Sequence, residues 1–238
     1  MMSTTPPPTR TADFVVLPRK IGAMTAEQVP WAVLLIGGAS GVGKSTAAPT
    51  IAQRFGSSWL GVDDLRLAFE RSHVTLPQGT EALYFFLETP NVGRLPPERL
   101  CKGLIGVGEV MSPAIEVIIE SHVDHAAPIV IEGDSILPAL LTRPSVQDRA
   151  AGGRVRAVFV VEPDEGMVLA NIVGRGRGMD GWSEEEVRIR ARAYWLYGQW
   201  LAEEAHRHGL PVVEPRPWDT LSQRIVTIAA RTVRASDL

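Results

Sequence analysis

The sequence has little of what disulfide-stabilised, membrane-embedded or nucleic-acid-binding proteins depend on. Its single cysteine, Cys101, cannot form an intrachain disulfide, which favours a chain of the reducing cytoplasm. The apolar runs are far too short to span a bilayer, so no membrane segment is expected. The net charge of −3 provides no global basic field, and a nucleic-acid partner is therefore not expected.

Metal-ligand patterns are also missing. The 5 histidines show no ligand spacing, and His122 and His125 have no cysteine or third ligand nearby in the sequence. Residues 1–30 begin with a polar, proline-rich stretch without the apolar core of a signal peptide, and we expect a partly disordered lead. An apolar content of 45% is ordinary for a globular protein. The length of 238 residues suits one large domain, and residues 31–238 are predicted to form it.

What the sequence does contain is a phosphate-binding loop. An apolar run, 32–36, is followed by the pattern G-x-x-x-x-G-K-[ST] and then by a helical segment. Glycines let backbone N–H groups point at phosphate oxygens, and the following helix N-terminus adds partial positive charge. We expect Lys44 to reach the β- and γ-phosphates and the Ser45 hydroxyl to bind Mg²⁺. The residues predicted to bind the nucleotide are Gly38, Ala39, Ser40, Gly41, Val42, Gly43, Lys44, Ser45 and Thr46.

Strand-like and helical segments alternate along the rest of the chain. The strands are predicted at about 32–36, 58–62, 128–131, 154–161 and 210–213. This order predicts an α/β fold of the P-loop NTPase type, with a five-stranded parallel sheet sandwiched by helices. Residues from about 72 to 126 are predicted to form a helical insert that binds the acceptor. Within it, Ser112 and Pro113 are typical of a cap and a first helical position, so a new helix is expected there.

Acidic and basic residues follow the predicted strands, where active sites of open α/β sheets gather. Asp63 is expected to accept a proton from the acceptor or to hold Mg²⁺ through water; the alternative is a helix cap. Arg66 is predicted either to face an anionic acceptor or to lie as a solvated surface charge. Glu132, with or without Asp134, is expected to orient Mg²⁺; the alternative is an acid that faces only a loop.

A glycine- and arginine-rich segment, at about 174–182, precedes the next helix. Arg175 and Arg177 lie between glycines there, which suits a lid that closes over the transferred phosphate. The alternative is a flexible basic loop without a role, and the pattern does not distinguish the two arginines. Ser183 and Glu186 have the spacing of a capping box, which predicts the start of a long helix.

These blocks together resemble the P-loop small-molecule kinases, and more narrowly 2-phosphoglycerate kinase and its relatives. The matching stretches are 37–46, then Asp-Asp-Leu-Arg at 63–66 and Ile-Val-Ile-Glu-Gly-Asp-Ser-Ile-Leu-Pro at 129–138, with the arginine lid. The resemblance implies a nucleoside-monophosphate-kinase-like fold, ATP and Mg²⁺ as cofactors, and a small anionic acceptor near Asp63. Members of this group usually carry Ser-Thr-Asp where this chain has Gly-Val-Asp at 61–63, so a hydroxyl near the phosphates is missing.

Three functional hypotheses follow. The leading one is an ATP- and Mg²⁺-dependent kinase of a small hydroxylated acid, with Lys44, Asp63, Arg175 and Arg177 as its catalytic residues. The second keeps the fold and changes the acceptor to a nucleotide-sugar or polynucleotide hydroxyl, although the composition shows no basic groove. The third is a non-catalytic nucleotide-dependent switch, which would leave the arginine lid unexplained.

Overall fold

A parallel sheet forms the centre of the molecule in a computed structural model that describes residues 29–77, 79–176 and 181–230. Its strands are β1 (Val33–Gly37), β2 (Ser58–Gly61), β3 (Ile129–Gly133), β4 (Val155–Val160) and β5 (Val212–Val213). They are ordered β2-β3-β1-β4-β5, and every pairing is parallel. The central strand, β1, places Leu35 beside Ile131 on one side and Ala157 on the other. The predicted five-stranded parallel sheet is confirmed.

Helices follow the strands in the order expected of right-handed crossovers. They are α1 (Lys44–Phe55), α2 (Val62–Arg71), α3 (Thr80–Leu83), α4 (Phe85–Glu88), α5 (Pro97–Asp124), α6 (Pro144–Ala150), α7 (Glu165–Arg175), α8 (Glu184–Arg207) and α9 (Leu221–Ala230). Short 3₁₀ turns occupy Val92–Arg94, Pro138–Thr142, Ala151–Gly153 and Trp218–Thr220. Within the described ranges, no helix combines the length and apolarity needed to cross a membrane.

The sheet is covered on both faces, which explains why its strands are continuous apolar runs. Leu34 and Ile36 of β1 pack in a core that includes residues of α1 and α9. Val33 and Leu35 point the other way, into a larger core that includes residues of α5 and α8. Helices therefore sandwich the sheet as predicted, and the loops at its carboxyl edge are left to build a site.

The predicted helix break at Ser112 is wrong, because α5 continues through it. The Ser112 hydroxyl donates a 2.8 Å hydrogen bond to the carbonyl oxygen of Gly108, one turn earlier in the same helix. Pro113 lacks an N–H to donate to that turn, which costs one helical hydrogen bond. Met111 and Ile115 on either side are fully buried in the core, and their burial outweighs that loss.

The second strand is also shorter than predicted, and this changes the position of Asp63. The strand ends at Gly61, and α2 begins at Val62, so Asp63 lies in the first helical turn rather than at a strand tip. No side chain caps this helix, and the capping alternative for Asp63 is therefore wrong. Val62 packs against Gly133 so closely that a Cβ at Gly133 would lie 2.7 Å from the Cβ of Val62.

The segment predicted as the helical insert, about 72–126, contains α3, α4 and all of α5. Part of the predicted organisation lies outside the described residues: the lead up to residue 28, and residues 177–180 of the lid, with Arg177. Those domain boundaries stay predictions. The capping box is confirmed, since Ser183 and Glu186 exchange the two expected hydrogen bonds at the start of α8.

Two glycines of α5 test how closely the insert packs. A Cβ at Gly103 would lie 2.3 Å from the ring of Phe85, whereas a Cβ at Gly106 would meet only Ala82, at 3.6 Å. We expect Gly103→Ala to lower the free energy of unfolding by about 1–3 kcal/mol through overpacking. Gly106→Ala should raise it by about 0.5–1 kcal/mol, because alanine favours a helix. Urea unfolding of both variants checks this, and equal effects would contradict the packing described.

Candidate active site

The phosphate-binding loop connects β1 to α1 and fits only because of its glycines. Gly38 has a φ of +147°, and a Cβ there would lie 2.3 Å from the carbonyl oxygen of Val160. Gly43 has a φ of +86°, and its Cβ would lie 2.6 Å from the Trp218 ring. A side chain at either position would therefore push the loop away from its neighbours. The glycines hold the loop at the N-terminus of α1, where backbone N–H groups attract anions.

Lys44, in the first turn of α1, is buried with only 5% of its surface exposed. Its Nζ donates to the carbonyl oxygen of Ala39 at 2.9 Å and to Asp134 Oδ1 at 2.8 Å. Burial alone would lower the pKa of Lys44, but the charges of Asp134 and Glu132 outweigh it and raise the pKa. The Tyr197 hydroxyl donates to the backbone carbonyl of Asp134 and fixes this partner. The loop therefore carries a fixed positive charge.

Asp63 faces this charge from α2. Its pKa is raised to about 6, chiefly by the negative charge of Asp134 and then by burial, while Lys44 and Arg66 act in the opposite direction. A carboxylate with a pKa close to neutral pH can both accept and release a proton, as a general base must. The catalytic role of Asp63 stays a prediction.

Glu132, the penultimate residue of β3, is also buried, with 5% exposed. Burial raises its pKa, while the Lys44 charge and a contact with the Ser45 hydroxyl act against this rise. The hydroxyl and carboxylate oxygens of Ser45 and Glu132 are hard ligands of the kind Mg²⁺ prefers. The described residues contain no group of three or more His, Cys, Asp or Glu side chains arranged for a metal ion.

Two neighbouring cavities open beside these residues. The first, of about 470 Å³, lies along the phosphate loop and is lined also by residues of α7 and α9. The second, of about 360 Å³, lies between α2, the insert and α8. Both are lined by Ser40, Asp63, Asp134 and Arg175. The predicted proton acceptor and one predicted lid arginine therefore stand where the two cavities meet.

The two described arginines that were predicted to act on anions both line the second cavity. Arg175 ends α7, and its Nη1 donates to the Ser40 hydroxyl of the phosphate loop at 3.2 Å. Arg66 pairs with the buried carboxylate of Glu70 at 2.5 Å, so it is not a solvated surface charge. Arg177 lies outside the described residues, and its role stays a prediction.

Trp218 lines the first cavity and was missed by the sequence analysis. Its side chain is 44% exposed although it lies against Gly43. The loop that carries it is held by an ion pair between Arg216 and the buried Glu162, with Arg216 Nη2 2.9 Å from Glu162 Oε1. Trp218 follows the last strand, β5, so its place at the carboxyl edge of the sheet was the available signal.

Arg190 on α8 lines the second cavity and was not separated from its neighbours by the sequence analysis. The signal was its helical spacing. Arg190 lies three residues after Val187 and four before Tyr194, on the apolar side of α8, whereas Arg188 and Arg192 flank it on the opposite side.

Comparison with known proteins confirms the predicted resemblance. The chain is 29% identical over 192 residues to 2-phosphoglycerate kinase of Methanothermobacter thermautotrophicus, a match that covers 76% of this chain and 60% of that protein. It is 26% identical over 185 residues to 2-phosphoglycerate kinase of Methanocaldococcus jannaschii, covering 76% and 58%. The chain thus spans about three fifths of the length of the curated relatives it matches. No protein-family model matches the chain.

Solved structures of small-molecule kinases overlap with most of the chain. Shikimate kinase from Acinetobacter baumannii, in complex with shikimate, covers 83% of this chain and 92% of its own, with a TM-score of 0.43 and 16% identity. A gluconokinase from Sinorhizobium meliloti covers 85% of this chain and 93% of its own, with a TM-score of 0.39 and 15% identity.

Removing the loop lysine tests the nucleotide site. We expect Lys44→Ala to weaken ATP binding about 10- to 100-fold, because a buried charge that can meet phosphate oxygens is lost. Lys102→Ala removes an exposed lysine of α5 and should leave the affinity unchanged. Isothermal titration calorimetry on both variants makes the measurement, and unchanged ATP affinity in Lys44→Ala would argue against this site.

The pKa of Asp63 tests whether the charge of Asp134 controls its proton affinity. We expect carboxyl NMR of the nucleotide-free protein to give Asp63 a pKa of about 6. Asp134→Asn removes the neighbouring negative charge and frees Lys44 to act on Asp63, so the pKa of Asp63 should fall. An Asp63 titration that is the same in both proteins would show that Asp134 does not control it.

Proposed function

We propose that the chain is an ATP- and Mg²⁺-dependent phosphotransferase that acts on the hydroxyl group of a small anionic acceptor such as 2-phosphoglycerate. The observation that carries the proposal is the junction of the two cavities at Asp63 and Arg175, beside the Lys44–Asp134 ion pair. The first cavity runs along the phosphate loop, whereas the second touches that loop only at Ser40. Two adjoining cavities are expected of an enzyme that brings two substrates together. The similarity to 2-phosphoglycerate kinases supports the same conclusion.

In the nucleotide cavity, the loop N–H groups and Lys44 bind the phosphates. Trp218 offers a flat aromatic face at the edge of this cavity, on which a nucleobase can stack. Ser45 and Glu132 would hold Mg²⁺, which would neutralise negative charge on the bound phosphates. The cytoplasmic location expected from the sequence is consistent with ATP as the donor.

The transfer step needs a proton acceptor, and Asp63 is placed to provide one. The acceptor hydroxyl oxygen forms a bond to the γ-phosphorus, and its proton moves to the Asp63 carboxylate. The bond between the γ-phosphorus and the β,γ-bridging oxygen breaks, and its electron pair leaves with ADP. Arg175, within hydrogen-bonding distance of Ser40 on the loop, counters the charge on the transferred phosphoryl group.

The size and lining of the second cavity favour a small acceptor. About 360 Å³ is at the lower end of the range for small-molecule sites. Arg175 and Arg190 supply positive charge along its wall, which suits an anion, whereas Arg66 is paired with Glu70 and the wall also carries Asp63 and Asp134. Exposed Leu67 and Leu87 also face it, so the wall is not the basic groove that a polynucleotide would need.

The test is ADP production from Mg-ATP with and without 2-phosphoglycerate and a panel of other hydroxylated acids and sugars. We expect stimulation by 2-phosphoglycerate or by a close analogue. Asp63→Asn should keep ATP binding and lose transfer by at least about 100-fold, the usual contribution of a general base. Asp148→Asn changes an exposed aspartate of α6 and should behave as wild type.

Either of two results would contradict the proposal. ATP binding without stimulation by any acceptor of the panel would favour the nucleotide-dependent switch. Full transfer activity in Asp63→Asn would remove Asp63 from the mechanism.

A further inference from the structure

We propose that Arg190 binds an anionic group of the acceptor other than the reacting hydroxyl and so determines acceptor specificity. This inference rests on the proposed function, and it assigns Arg190 to the acceptor alone. Arg190 lines the second cavity and not the one along the phosphate loop. Its removal should therefore affect acceptor binding while ATP binding is preserved.

The first argument is the difference between Arg190 and the other arginines of α8. Arg188 pairs with Glu184 at 3.0 Å, and Arg192 pairs with Glu165 at 2.7 Å. Among the residues that the structure describes, Arg190 forms no ion pair with an acidic side chain. Its Nε donates instead to the neutral Tyr194 hydroxyl at 3.2 Å. A partly buried guanidinium that is not paired with one of the described carboxylates has charge and donors available for an anion.

The second argument is how Arg190 is held. Its Cζ lies 4.8 Å from the ring centroid of Trp182 and 5.6 Å from that of Tyr194. Cation–π contacts occupy the face of a guanidinium and leave its N–H groups for hydrogen bonds. Within the part of the chain that the structure describes, Arg190 uses only Nε, on the Tyr194 hydroxyl, so its terminal nitrogens keep their donors for a ligand.

The third argument is that contacts with the helical insert hold the Trp182 side chain in place. Its ring packs on Gly93, where a Cβ would lie 2.6 Å from the Trp182 Cζ3. Beside it, Arg94 Nε lies 3.2 Å from Glu186 Oε1, which joins the insert to the start of α8. The guanidinium of Arg190 is therefore ordered before a ligand arrives, which lowers the entropic cost of binding.

The ligand chemistry is an oxyanion, either a phosphomonoester or a carboxylate, because a guanidinium binds both through two parallel hydrogen bonds. On the other wall of the cavity, the charge of Arg66 is already balanced by the buried Glu70. Arg175 contacts Ser40 of the phosphate loop and is assigned to the transferred phosphoryl group, so a second charged group on the acceptor is left to Arg190.

The experiment measures acceptor binding by calorimetry with the nucleotide site filled by Mg²⁺ and a non-hydrolysable ATP analogue. Three probes are used. 2-Phosphoglycerate carries both a carboxylate and a phosphate, glycerate carries only the carboxylate, and glycerol 2-phosphate carries only the phosphate. We expect Arg190→Ala to weaken binding of 2-phosphoglycerate about 10- to 100-fold and binding of the ATP analogue less than about twofold. The single-anion probe that also loses affinity identifies the group that Arg190 binds.

Two further variants separate binding from packing. Arg190→Lys keeps the charge but not the paired donors, so it should restore only part of the affinity. Arg188→Ala removes a solvent-exposed ion pair two residues away and should match wild type. A merely structural role of Arg190 would lower the melting temperature and reduce both ligand affinities together.

The outcomes distinguish this inference from the proposed function. Binding that depends on Arg190 without any ADP formation would overturn the kinase proposal and leave the inference standing. Phosphoryl transfer with an unchanged acceptor KM in Arg190→Ala would overturn the inference alone. The inference is also overturned if wild type binds none of the three probes, or if Arg190→Ala binds them all as Arg188→Ala does.

Discussion

The candidate site depends on one buried positive charge. Lys44 lies among Asp63, Glu132 and Asp134, and each of these carboxylates raises its pKa. Without the ammonium group, three acids at the carboxyl edge of the sheet would repel one another, and some would take up protons. The Lys44–Asp134 pair therefore permits the acidic cluster to exist in the absence of a nucleotide. The Lys44 ammonium has three N–H donors and gives two of them, among the described residues, to Ala39 and Asp134, so the third can meet a phosphate oxygen.

Helix α8 connects this charge cluster to the second cavity. Tyr197, fully buried near the middle of the helix, donates to the carbonyl of Asp134 and so fixes the partner of Lys44. Two turns earlier, Arg190 faces the second cavity. Because a helix packed along the core is stiff, one element sets the position both of the partner of Lys44 and of an arginine of the second cavity.

The parts of this molecule that sequence could predict are those encoded locally. The phosphate loop and the apolar strands carry their patterns within about ten residues, and they were found. The partner of Lys44 is 90 residues away in the chain, and the Glu162–Arg216 pair that holds the Trp218 loop spans 54 residues. Only the packed sheet brings such residues together. The wrong helix break at Ser112 shows the converse, since a strong local start pattern was overridden by core burial on both sides of it.

Charge also couples the two cavities. Asp134 is the main cause of the raised pKa of Asp63, and Lys44 opposes it. In the proposed reaction, phosphate oxygens at the loop would raise the proton affinity of Asp63, whereas a Mg²⁺ ion at Ser45 and Glu132 would lower it. Since Asp63 lines both cavities, its proton affinity would respond to the charges held in either of them.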